Sequence, residues 1–207
     1  MKKTIIFDLD GTLVDIEPVF FRIFNNLARE FGFAPLREDE IPYLKQFHLK
    51  DLVWQRLGWH VILLPFILHR GRETYHSLVP EISLFSGTTN TLSALKSKGY
   101  RIGIVSSSRR DTIEAIVKHY ALPVDFMYHG QLFNKARSLK TVLSNEHLDV
   151  SETLYVGDEV RDIEACHKIN LDIIAVSWGL NSKDSLKNTR ALTVDTQAEL
   201  LAAIIAA

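Results

Sequence analysis

From about Ser86 to its end the sequence switches repeatedly between two apolar rhythms, and no other feature narrows the fold as far. Short β-rich runs at Arg101–Val105, Val124–Tyr128, Leu154–Val156, Ile173–Val176 and Leu192–Val194 predict strands. Helical segments are predicted between them. Thr88–Lys98 stops at Gly99, Ser108–His119 opens with Ser108 and Asp111 at capping-box spacing, and Ala136–Asn145 and Asp162–Ile169 follow. Parallel neighbours need crossover connections, so this alternation implies an α/β fold with a mostly parallel sheet flanked by helices. Thr4–Phe7, apolar and β-rich, adds a buried strand far upstream.

Residues 16–85 follow another pattern. Pro18 suits a first helical turn, Phe20, Phe24, Leu27, Ala28 and Phe31 recur at helical spacing, and Gly32 ends the run. Further helices are predicted around Glu38–Phe47, Leu49–Leu57 and Pro65–Leu78, with no strand. The expected organisation is an α/β unit of residues 1–15 and 86–207, with a small all-α unit, 16–85, inserted after the first strand. Leu13–Asp15 and Ser83–Gly87 would be the linkers. Phe20, Phe21, Phe24, Trp54 and Trp59 are expected in the core of the helical unit, and Cys166 in that of the larger one.

Twenty-four Lys and Arg against 25 Asp and Glu give a net charge of -1, which excludes nucleic-acid binding by bulk charge. One cysteine excludes an internal disulfide and a multi-cysteine zinc site. Val61–Leu68, a run of eight without a polar residue that none exceeds, falls far short of the ~20 residues a bilayer demands. Asp8 interrupts the first apolar run, so no targeting peptide is expected and the chain is read as cytoplasmic, without membrane or nucleic-acid partners. Oligomeric state is not legible in the sequence.

Chemistry concentrates at strand ends. Phe7-Asp8-Leu9-Asp10-Gly11-Thr12 places two carboxylates where a buried strand stops, the position at which open α/β sheets hold ligands. Gly11 permits tight backbone passage. Val105-Ser106-Ser107-Ser108 puts hydroxyls and free N–H groups before a helix, an anion cradle in which Ser108 is the expected N-cap. Gly157-Asp158, followed by Asp162, repeats the acidic strand end, with Glu159 and Arg161 expected to face solvent. Close carboxylates repel, and an oxygen-only set calls for a hard divalent cation, Mg²⁺. A cation for the site could be Lys135, Arg137 or Lys140, which share one helix start.

In this order these motifs resemble the haloacid dehalogenase superfamily, and most closely its phosphoglycolate-phosphatase-like branch, in which a helical cap follows the first strand of a Rossmann-like core. The resemblance spans nearly the whole chain. It implies a Mg²⁺-dependent phosphatase acting on a small phosphorylated metabolite. Asp8 would be the nucleophile, forming an acyl phosphate, and Asp10 the general acid and base. Ser106, Ser107, Gly11 and Thr12 would bind the phosphoryl group, and Lys135 would neutralise charge. Asp8, Asp158, Asp162 and the Asp10 backbone carbonyl would hold the metal. The same scaffold also supports phosphomutases and, with catalysis lost, phosphate-binding modules. Pro42–His76 carries Lys45, Lys50, Arg56, Arg70 and Arg72 against Asp51 and Glu73, a basic surface suited to an anionic substrate tail. Lys50 and Arg56 are the expected substrate contacts there.

Overall fold

The computed structural model describes residues 1–46, 49–132 and 134–207, without the side chains of Pro42, Leu49, Lys50, Leu52 and Val53. The chain opens with β1 (Thr4–Phe7) and β2 (Val14–Asp15). It then runs through α1 (Glu17–Phe31), α2 (Ile41–Leu44), α3 (Leu49–Leu57) and α4 (Leu64–Ser77), with short 3₁₀ turns between them. After β3 (Ser83–Leu84) come α5 (Thr88–Ser97), β4 (Arg101–Ser106), α6 (Arg110–His119), β5 (Phe126–His129) and α7 (Lys135–Asn145). The remainder is β6 (Thr153–Gly157), α8 (Val160–His167), β7 (Asp172–Val176), α9 (Lys183–Lys187), β8 (Leu192–Val194) and α10 (Gln197–Ala206).

Six strands form one parallel sheet in the order β5-β4-β1-β6-β7-β8. The chain builds outward from β1 on one side and then returns to build on the other. Beside β1 the strand order therefore reverses, which opens a crevice at the carboxyl ends of β4, β1 and β6. Phe7 lies level with Ile104 and Val156, so Asp8, Ser106 and Asp158 leave the sheet within two residues of the same height. β1 is hydrogen-bonded on both edges and fully buried, which explains why its four residues carry no alternation. Its side chains feed two cores. Ile5 and Phe7 pack with α5, α6 and α10, whereas Ile6 packs with α7, α8 and α9.

Between β2 and β3 the described elements are helical. Pro18 occupies the first turn of α1, Gly32 ends it in the left-handed conformation, and Asp15, one residue before the N-cap Ile16, accepts the Glu17 N–H at 3.2 Å. Two expectations fail here. Ser83–Leu84 is a short strand, paired antiparallel with Val14–Asp15; two residues carry no periodicity, and the pairing exists only because the helical segment returns to its point of departure. Trp54 and Trp59 are 64% and 74% exposed instead of buried, and Phe20 is 40% exposed. The core of the segment is formed by Val19, Ile23, Leu27, Phe33, Ile67 and Tyr75, in one cluster with the side chains of α5 and α6, and Phe24 packs against it. Among the described residues no helix is long and apolar enough to cross a membrane.

Candidate active site

Three carboxylates meet at the carboxyl ends of β1 and β6. Asp8, Asp158 and Asp162 are each buried, and one oxygen from each lies within 4.8 Å of the others. Lys135, the first residue of α7, is buried beside them, its Nζ 2.5 Å from both Asp8 Oδ2 and Asp162 Oδ1. Arg137 and Lys140 point outward and are exposed, so the choice among three cations resolves to Lys135. The Tyr155 ring lies 5.2 Å below its ammonium.

Backbone and hydroxyl donors hold each carboxylate. Asp8 Oδ1 accepts the Leu9 N–H at 2.8 Å. Asp158 Oδ1 accepts the Thr12 hydroxyl and its Oδ2 the Leu180 N–H, both at 2.8 Å. Asp162, in the first turn of α8, accepts the Glu159 N–H at 3.3 Å. Asp158 is in turn walled by glycines. A Cβ on Gly11, whose φ is +84°, would stand 2.2 Å from Asp158 Oδ2, and one on Gly179 would stand 2.3 Å from it.

Thr12 was expected to touch substrate, but it is buried and its hydroxyl is committed to Asp158. Its carbonyl accepts the Trp178 indole N–H at 3.1 Å. Glu159 and Arg161 do not face solvent. Glu159 is 5% exposed and pairs with Arg161, whose guanidinium also donates to the Leu132 carbonyl at 2.7 Å. Four carboxylates, Asp8, Asp158, Glu159 and Asp162, thus face two cations, Lys135 and Arg161, leaving a formal charge of −2 in a buried space. Burial, ahead of the charges around it, pushes the Asp8 carboxyl up to about 7; Lys135 works against this and Asp162 adds to it. Burial first, then Glu159, Asp162 and Asp8, pushes Asp158 well above the ordinary carboxylate range. Burial alone would lower Lys135, yet Asp162 and Asp8 outweigh it and raise its pKa. A divalent cation matches the deficit, and the donors are all carboxylate oxygens, as a hard metal requires.

Asp10 lies apart from this cluster. Its Oδ2 accepts from Ser106 Oγ at 3.0 Å and Ser108 Oγ at 2.6 Å, and its Oδ1 accepts the Tyr75 hydroxyl from α4. Asp8 and Asp10, two apart, thus serve different neighbours. Ser108 is not the N-cap of α6. The helix starts at Arg110, two residues further on, because the Ser108 side chain is drawn to Asp10. Ser106 Oγ accepts the Ser108 N–H at 3.0 Å, and His129 Nδ1 meets the Ser108 carbonyl at 2.6 Å, so the serine loop is pinned from two sides.

One of the two expected contacts from the helical segment is not found. Arg56 is turned to Glu40 at 3.0 Å, within the segment itself; the Lys50 side chain lies outside the described residues. Instead α4 faces the site. Tyr75 reaches Asp10, His76 Nδ1 lies 3.1 Å from Thr112 Oγ1, and an Arg72 nitrogen lies 3.5 Å from the Ser107 carbonyl. These three residues carry helical spacing in the sequence, but nothing local marks their face as the one that meets Asp10.

Residues 5–176 match the haloacid dehalogenase-like hydrolase family. The chain is 34% identical to a phosphoglycolate phosphatase of Synechococcus elongatus over 187 residues, covering 89% of this chain and 88% of that protein. It is 26% identical to a pyrophosphatase of Bacillus mycoides, across 96% of this chain and 95% of the other. In fold it matches a solved structure described as a predicted phosphatase from Clostridium acetobutylicum, with a TM-score of 0.86 at 22% identity and complete coverage of both chains. The parallel sheet with its reversed strand order, the acidic strand ends and these likenesses agree: the chain belongs to the haloacid dehalogenase-like hydrolase family, within its phosphoglycolate-phosphatase-like branch, and is a phosphatase.

Proposed function

We propose that the enzyme is a Mg²⁺-dependent phosphomonoesterase that works through an aspartyl phosphate on Asp8, on a small phosphorylated metabolite such as phosphoglycolate. The observation that carries this reading is the division of labour between the two acids of the first motif. Asp8 sits between Lys135 and the Asp158/Asp162 pair, and Asp10 sits apart from them among hydroxyl groups. A carboxylate beside a fixed cation suits nucleophilic attack, whereas one outside the metal cluster is free to carry a proton.

In the first step an Asp8 oxygen attacks phosphorus, the bond to the leaving oxygen breaks, and protonated Asp10 gives its proton to that oxygen. In the second, Asp10 takes a proton from water as the water attacks phosphorus, and Asp8 is released as a carboxylate. Ser106 and the loop that follows it hold the phosphoryl oxygens, and Lys135 balances the charge that Asp8 hands to the phosphate. Asp8, Asp158 and Asp162 would hold Mg²⁺, with the Asp10 backbone carbonyl; the ion offsets repulsion between the phosphate and the carboxylates. Residues 16–85 act as the cap, with α4 closing over Asp10 and excluding bulk water.

A turnover screen over phosphorylated metabolites, run with Mg²⁺ and with excess chelator, tests the reading. Hydrolysis that stops on chelation and returns with Mg²⁺ is expected, phosphoglycolate ranking among the better substrates. Full activity in chelator would overturn it.

A further inference from the structure

Among the described residues Arg72 is a basic side chain of the helical segment that faces the serine loop with its charge unmatched. Its neighbours in the segment are ion-paired: Lys45 with Glu17, its Nζ also 3.5 Å from the Gly179 carbonyl, Arg56 with Glu40, and Arg70 with Glu30 and Glu73. Among the described residues Arg72 has no carboxylate within ion-pair distance. Among the described residues its one hydrogen bond to the core is long, 3.5 Å, to the Ser107 carbonyl. That carbonyl lies between Ser106 and Ser108, the two serines bonded to Asp10. A guanidinium carries five donors in a planar fork, so a single long bond leaves nearly all of its capacity unspent.

The position of Arg72 is set by the next helical turn. Tyr75, three residues on and therefore on the same face of α4, gives its hydroxyl to Asp10 Oδ1. His76, four residues on, is held against Thr112 at the start of α6. These two contacts fix how the helix sits over the serine loop. Asp10 is the acid that must reach the leaving oxygen, so that oxygen enters beneath α4, at the place where the Tyr75 hydroxyl now touches Asp10. Arg72 then stands one helical turn back from Tyr75 on the same face of α4, its guanidinium at the Ser107 carbonyl between the two serines bonded to Asp10. A short leaving group with a second anion turns that anion toward Arg72, and a carboxylate is the anion that a guanidinium takes through two parallel bonds.

We propose that Arg72 is the specificity-determining residue of this phosphatase, binding the carboxylate of a short phosphorylated hydroxy acid while Tyr75 gives way to its ester oxygen. This rests on the phosphomonoesterase reading above, with Asp10 as the acid. Of the residues first expected to read the substrate, Arg56 is thereby set aside in favour of Arg72.

The test compares phosphoglycolate with ethyl phosphate, a neutral tail of the same length, in the wild type, Arg72→Gln and Arg72→Lys, with a thermal midpoint recorded for each protein. The wild type should prefer phosphoglycolate in kcat/KM. Arg72→Gln should lower that preference at least tenfold, through KM for the carboxylated substrate. Arg72→Lys keeps the charge without the fork and should lie between the two, and it carries the test alone if Arg72→Gln does not fold. A purely structural role would lower kcat/KM for both substrates in proportion and leave their ratio where it was; that result, or a wild type indifferent to the carboxylate, overturns the proposal. A wild type that hydrolyses no phosphomonoester at all overturns the underlying reading instead, and this inference with it.

Discussion

At the scale of single residues, the site is a problem in holding negative charge. Asp8 carries the chemistry in the proposed reaction, so Asp8→Asn should abolish turnover, with kcat falling by at least ~10⁴, and leave no acid-stable phosphoprotein after quenching with labelled substrate. Labelling equal to that of the wild type would assign the nucleophile elsewhere. Thr12 acts one bond further out. Thr12→Val removes the hydroxyl from Asp158 Oδ1 while keeping the volume, and a charge-assisted hydrogen bond is worth ~1.5–3 kcal/mol. The expected result is an approximately tenfold weaker half-saturation by Mg²⁺, read from a metal titration of activity. A direct substrate contact would instead raise KM at saturating metal.

At the scale of elements, the loops after β6 and β7 decide how the acids are packed. Gly179, between β7 and α9, lies against Asp158 so closely that a Cβ would come within 2.4 Å of both Asp158 Oδ2 and the Gly11 carbonyl. Gly179→Ala should therefore lower the thermal midpoint, at a cost of about 1–3 kcal/mol for an overpacked site, and weaken metal binding with it. An unchanged midpoint would mean that this loop moves aside freely. The same scale explains what the sequence could and could not convey. Leu192–Val194 was legible to the residue and the other sheet strands to within two, because buried parallel strands are bounded apolar runs. Asp8, Asp158 and Asp162 were legible as one constellation because they end such strands or begin the next helix. Tyr75 was not, since its role arises only when α4 docks on the serine loop; a helical period marks an apolar face without saying what it meets. Ser108 misled because N-capping and a bond to Asp10 use the same hydroxyl, and a carboxylate brought in from a distant strand end won. Trp54 and Trp59 misled because size and apolarity argue for burial, while Ile23, Leu27, Phe33, Leu57 and Ile67 already fill the space available.

At the scale of the whole molecule, the buried charge couples stability to acidity. Asp8 takes up a proton more readily folded, at about 7, than at its ordinary value of 3.8. The stability this group contributes is full below the ordinary value and is lost as pH rises through about 7. A bound cation reverses that loss by replacing the proton. The rise in thermal midpoint on adding Mg²⁺ should accordingly be larger at about pH 8 than at about pH 5. Equal rises would mean that the carboxylates are already ionised and balanced without a metal.

The pairing of Val14–Asp15 with Ser83–Leu84 has a further consequence for how such a chain can be inherited. The helical segment departs and returns through two adjacent backbones, about 4.8 Å apart, outside the six-stranded sheet. A tight turn from Asp15 to Ser83 would close that gap and leave every strand of the sheet in its place and order. The sheet with its acids is thus one heritable piece and the segment that carries Arg72 and Tyr75 is another. Exchange of the second for a longer, shorter or differently charged sequence alters what is hydrolysed without rewriting how.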